Sequence, residues 1–118
     1  MTDRHSARFN RGIELFNRCA FFECHEELEE LWTGAREPQR RFLQSLIHFA
    51  VGFHHHQRGN AVGAARQLAK GLDKIQPYLP VWGGVDTAAL ERASRRCLAV
   101  IEAGGTIVDF PRIVQSAP

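Results

Sequence analysis

The chain has 118 residues, 44% apolar and 24% charged, with fifteen basic and thirteen acidic side chains. That length holds one domain with its own hydrophobic core, and the near-balance of charge gives no footing for nucleic acid as a partner. No apolar run approaches the roughly 20 residues that cross a bilayer, no apolar segment follows Met1 to His5 to act as a secretory signal, and three cysteines without CxxC spacing suit reduced thiols, so the expectation is a cytoplasmic protein with no membrane contact.

The periodicity predicts five helices. Helix A starts near Ser6, a suitable N-cap, and runs to about Asn17, with Phe9, Ile13 and Phe16 as its apolar stripe. Arg18 to Ala20 form a tight turn. Helix B follows from Phe21 to Trp32, and residues 33–37 are a loop in which Gly34 is the natural stop. Pro38 suits the first turn of helix C, which reaches about Arg58. Its apolar residues, from Phe42 to Phe53, cover more than half the circumference, the mark of a central helix. The remaining stripe carries Arg41, Gln44, His48 and His55.

Gly59 stops helix C and Asn60 caps helix D, whose stripe is Ala64, Ala65, Leu68, Leu72 and Ile75. Pro77, Pro80, Gly83 and Gly84 break the chain, and Tyr78, Leu79, Val81 and Trp82 fold against the core end. Asp86 caps helix E, with Leu90, Ala93, Cys97, Val100 and Ile101 on its buried face, and Gly104 and Gly105 end it. No stretch alternates as a strand. The expected architecture is therefore all-α: one domain over residues 1–118, a bundle of about five mostly antiparallel helices over about 6–103, and a C-terminal strap over 104–118.

Helix B carries the chemistry. Advancing about 100° per residue puts Phe21, Cys24, Leu28, Leu31 and Trp32 on one face and Glu23, Glu26, Glu27 and Glu30 on the other. Trp32 is expected to anchor helix B on helix C. His25 and Glu29, at i and i+4, flank the apolar face and can touch. His25-Glu26-x-x-Glu29 resembles the H-E-x-x-H helix of zinc peptidases with Glu in the second ligand place and Glu26 as the base. Zinc then needs a third protein ligand, with His48 the candidate and His54, His55 and His56 nearby. The competing reading is a hydrogen-bonded His25–Glu29 pair closed by Arg41 or Gln44 of helix C. His54, His55 and His56 fan out around a helix, so they cannot share one ion. Cys24, on the apolar face, reads as an inert buried thiol.

The string LFNRCAFFECHEELEELW, residues 15–32, resembles the signature of the small helical family called domain of unknown function 309, whose members typically read LFNxGxYFExHEvLExxW. The likeness continues through residues 41–48 and 58–64 and covers roughly 9 to 80. Cys19 stands where the turn glycine is usual, and His48 where Gln is common. The resemblance implies an all-helical fold and a site, and no activity.

Three functions remain open. The first is a small helical protein with a polar site at His25 and Glu29, lined by Glu26, Arg41, Gln44 and His55, holding a divalent zinc-like metal with His48; a hydrolase is its enzymatic version. The second is a protein-binding module without enzymatic activity, because the A–B hairpin is similar to a tetratricopeptide helical pair. The third is a homo-oligomeric structural protein, suggested by apolar surface near Trp82 and in the tail.

Overall fold

Short connections and amphipathic segments leave the chain little choice but to fold each helix back on the one before it. The structure, a computed structural model, describes residues 3–116, with side chains from residue 7 onward. Its helices are α1 (Asp3–Asn17), α2 (Phe21–Gly34), α3 (Gln39–Gln57), α4 (Ala61–Ile75) and α5 (Thr87–Glu102), with a short 3-10 turn at Gln76–Tyr78. Among the described residues there is no strand, only isolated bridges that pair Val85 with Trp82 and with Gln115.

The principal helix contacts run in chain order: α1 on α2, α2 on α3, α3 on α4, α4 on α5. Residue pairings show that the first three of these neighbours are antiparallel. Arg8 meets Glu27 and Phe16 meets Phe21 across α1–α2. Phe21 meets Phe53, and Arg40 stacks on Trp32, across α2–α3. Arg41 meets Asp73, and His48 meets Gln67, across α3–α4. The row measures 45 × 26 × 24 Å. Its core is one apolar cluster from Ile13 to Ile113, with Phe16, Phe49, Phe53, Leu46 and Leu68 fully enclosed. As the breadth of its apolar surface requires, α3 lies at the centre of this core.

Local chemistry accounts for most boundaries. The Asn60 side chain accepts from the Gly63 N–H, and Asp86 from the Ala89 N–H, at the starts of α4 and α5. Gly59 and Gly104 take positive φ just past α3 and α5. Two expectations need correction. Ser6 lies inside α1 rather than ahead of it, and its side chain lies outside the described part. Gly34 is the last residue of α2 and not a left-handed stop. The carbonyls it leaves open are instead capped from the next helix: the Arg40 guanidinium donates to Trp32 O at 2.8 Å and to Ala35 O at 3.4 Å. Trp32 does contact α3, but it is only half-buried, with the Arg40 guanidinium 3.8 Å above its ring.

After α5 the chain does not turn into another helix. Residues 105–116 run as an extended strap back across the bundle, with Ile107, Pro111 and Ile113 buried. Val108, 94% exposed, and Val114 do not join the core, contrary to the tail's apolar pattern, and neither does Val81.

Candidate functional site

Two places in this fold gather groups with chemical capacity: the α2–α3 seam that the sequence singles out, and an inner groove that it does not.

At the seam, helical spacing brings His25 and Glu29 together as expected, with Nε2 3.6 Å from Oε1. That is too long for a hydrogen bond and short enough for an ion pair. The His25 side chain is 20% exposed and that of Glu29 54%, so the pair opens to water. The other ring nitrogen, Nδ1, lies 2.9 Å from Phe22 O. A carbonyl only accepts, so Nδ1 carries a proton and donates, and Nε2 is directed at the carboxylate. The exposed Phe22 ring stacks between the His25 and His54 rings, at 5.2 and 5.4 Å. Burial, and then the positive charge of Arg58, holds His54 below the usual histidine range.

The expected closure from helix C is not formed. His48 faces α4, where Nδ1 meets Gln67 Oε1 at 2.8 Å and Nε2 meets Lys74 Nζ at 2.9 Å. Arg41 pairs with Asp73 of α4, at 3.7 Å. His55 packs over the start of α4, 3.4 Å from Asn60 Nδ2. Gln44 is half-buried and its side chain makes no hydrogen bond among the described residues, and Glu26 is exposed. The polar stripe of α3 therefore belongs to the α3–α4 seam, on the far side of α3 from α2. Among the described residues, no three His, Cys, Asp or Glu side chains converge as a metal set. Cys24 is fully buried, and desolvation pushes its thiol up to about 12, so the inert reading of this residue stands.

The groove is built differently. The strap lies between α1 and α5 with the end of α3 beneath it. It leaves an open cleft on each side, one lined by Asn10, Ile13, Asn17 and Ile113, the other by Ala93, Cys97, Val100 and Phe110. Phe110 is the wedge, its ring 5.3 Å from Phe21, 5.6 Å from Phe53 and 6.0 Å from His56. His56 Nε2 accepts the Ile107 N–H at 2.9 Å. Asn17 binds both peptide groups of one residue: its Nδ2 donates to Ile113 O at 3.0 Å and its Oδ1 accepts the Ile113 N–H at 2.7 Å. Beyond that, Val114 O accepts from Asp86 N–H at 2.9 Å, and the Ser116 N–H reaches Gly84 O at 2.7 Å. The strap is thus held largely through its backbone, with apolar side chains at every third residue, 107, 110 and 113. That spacing was the signal available in the sequence. A third cleft, about 460 Å³, lies at the opposite end of the bundle between Phe9, Leu31, Phe42 and Trp82, and none of the expected site residues lines it.

An all-helical row with a His–Glu pair on its second helix defines the class, and sequence comparison defines the family. The chain belongs to the family described as Domain of unknown function (DUF309), whose profile matches residues 9–67. It is also similar to the "Uncharacterized protein YpuF" of Bacillus subtilis (strain 168), at 39% identity over 57 residues, which is 48% of this chain. The match spans about a third (33%) of that relative's own length. The matched region holds α2 and the His25–Glu29 pair; the strap lies outside it.

Proposed function

We propose that this protein is a helical-hairpin binding module whose groove between α1 and α5 takes an extended apolar peptide segment. The observation that carries the reading is the Asn17 amide, which pairs with both the N–H and the C=O of Ile113. A carboxamide bonded in this way reads main chain rather than side chain, so it holds any extended segment that places a residue there. Rows of antiparallel helices that pack neighbour on neighbour present concave faces suited to such segments. In this chain the strap occupies the groove, and a partner segment with apolar residues at the spacing of Ile107, Phe110 and Ile113 would compete with it. A labelled peptide with the sequence of residues 104–116 tests this by fluorescence anisotropy. It should bind the intact chain weakly, bind a Phe110→Ala chain more tightly because the resident strap is weakened, and lose binding when Asn17→Leu is added. A folded Phe110→Ala chain that does not bind the peptide refutes the reading.

A second reading concerns a cation at His25 and Glu29. What supports it is the orientation of the ring: Nδ1 donates to a backbone carbonyl while Nε2 points at a carboxylate, the arrangement by which proteins orient metal-ligating histidines. Two side chains fall short of the three protein ligands usual for zinc, so water or a partner's side chain must complete the shell. Calorimetric titration with zinc should show one weak site that Glu29→Gln and His25→Ala each remove. Unchanged heats in both variants exclude it.

A further inference from the structure

The chain contains thirteen arginines and only two lysines, Lys70 and Lys74, one turn apart on α4. Arginine is permanently charged and chemically inert, whereas a lysine amine can lose its proton and attack carbon. Among the described residues, one of the two is set differently from every other cation. Lys74 Nζ donates to His48 Nε2 at 2.9 Å, and the opposite ring nitrogen of His48, Nδ1, donates to Gln67 Oε1 at 2.8 Å. Gln67 thereby fixes both the tautomer and the plane of the imidazole and leaves Nε2 as the free base beside the amine. Nucleophile and base lie within hydrogen-bond reach, and the base is in turn held by an orienting group, as an activated nucleophile requires. His48 and Lys74 are both half-buried, at the seam where α3 and α4 pack most closely.

The surroundings favour the same chemistry. Arg41 and Lys70 lie close enough to act electrostatically on Lys74, and Asp73, paired with Arg41 at 3.7 Å, is the one carboxylate acting against them. Burial, then Arg41 and Lys70, holds the Lys74 amine below the usual lysine range. Burial is also the main cause that keeps His48 below the usual histidine range, and therefore available to accept a proton. A site with an amine, a base and two neighbouring cations suits an electrophile that carries an anionic leaving group.

We propose that Lys74 is a self-acylation site for acyl phosphates, with His48 as its base and Gln67 as the residue that positions His48. In the step, Lys74 first gives its ammonium proton to water, and the neutral amine then forms a bond from Nζ to the acyl carbon. His48 Nε2 takes the proton from the tetrahedral adduct, the bond between the acyl carbon and the bridging phosphate oxygen breaks, and inorganic phosphate leaves beside Arg41 and Lys70. The imidazolium then gives its proton to water. The product is a neutral amide, so the link between α3 and α4 at His48 loses its charge.

The test uses the full chain and acetyl phosphate, with the two lysines read separately by mass spectrometry. Lys70 is an internal control on the same helix, exposed and without a histidine partner. Lys74 should be acetylated at least about 10-fold faster than Lys70, at the low end of what a positioned base supplies. His48→Gln should bring the two rates within about twofold of each other while leaving the Lys70 rate unchanged. Gln67→Leu should lower the Lys74 rate alone. If Lys74 in the native chain reacts no faster than Lys70, the proposal is wrong, whatever the variants do. An undiminished ratio in a folded His48→Gln chain, judged by circular dichroism, overturns the role of the base.

Discussion

Cys19 is held at φ +63°, the only non-glycine residue in the described chain with positive φ. It closes the turn between α1 and α2 in the left-handed region that favours glycine, and a side chain in that conformation costs about 1–2 kcal/mol. Cys19→Gly should raise the unfolding free energy by about 1 kcal/mol, read from urea denaturation; a loss of stability would mean that the thiol makes a compensating contact. The other two cysteines are a different case. Burial pushes Cys24 up to about 12 and Cys97 to about 11. Thiols raised in this way stabilise the fold fully below the ordinary value near 9, and that stability is lost as pH climbs toward the folded values, because the unfolded chain ionises first. Each should contribute a decline of about 1.4 kcal/mol per pH unit across that window. A Cys24→Ala chain should show a shallower alkaline decline; an identical decline would sink the assignment. At this scale the i, i+4 spacing made the His25–Glu29 encounter legible. The partners of His48 and Arg41 were not, because α3 is apolar over most of its surface and its narrow polar stripe does not reveal which neighbour it faces.

Helix ends divide according to where their caps come from. Asn60 and Asp86 cap from within a few residues, so both starts were legible. The end of α2 is capped by Arg40 from the following helix, and no local pattern announces that. Two glycines show the difference in measurable form. A Cβ on Gly34 meets nothing within 4 Å. In a helix, with no steric penalty, Gly34→Ala should stabilise by about 0.5–1 kcal/mol. A left-handed stop at that position would give the opposite sign, so thermal denaturation of this variant checks the corrected boundary directly. Gly71 is also helical, but a Cβ there lies 2.7 Å from the Phe49 ring and 3.1 Å from Ser45 O. Phe49 is fully enclosed and Ser45 O is backbone, so neither can move aside cheaply. Gly71→Ala should destabilise by about 1–3 kcal/mol despite its better helix propensity. Equal effects at the two glycines would mean that α3 and α4 are less closely packed than this. In sequence the two residues look alike, since the closeness of α3 to α4 is a property of the pair of helices and not of either alone.

Over the whole molecule, the row of helices leaves α1 and α5 as its two ends, and a row has no intrinsic means of joining them. The strap supplies one. It leaves α5 at Gly104, passes the ends of α3 and α1, and returns to Val85 and Asp86 at the start of α5. The sequence offers the spacing of Ile107, Phe110 and Ile113 as a hint of it, but does not say against which helices these side chains find a cavity. Ile107 and Ile113 find one, whereas Val108 does not, because an extended chain bent around Phe110 can turn only part of its side chains inward. Asn17 fastens the strap to α1 at Ile113, two residues before Gln115 reaches Asn10 of the same helix, and it satisfies two peptide groups that would otherwise be left without partners in a partly buried setting. Replacing it with leucine removes both hydrogen bonds while keeping a side chain of similar size. Two net hydrogen bonds at about 1 kcal/mol each set the expected loss near 2 kcal/mol. The loss should be local before it is global. Hydrogen exchange in Asn17→Leu should quicken at the Ile113 amide and, by release of the wedge, at Ile107, while amides of α3 around Phe49 keep their protection. Asn17→Asp separates the two bonds: the carboxylate still accepts from the Ile113 N–H but cannot donate to its carbonyl, so that amide should stay partly protected. If both variants exchange like the native chain at Ile113, Asn17 reads no backbone, and the strap is held by Phe110 and its remaining hydrogen bonds at Ile107, Val114 and Ser116.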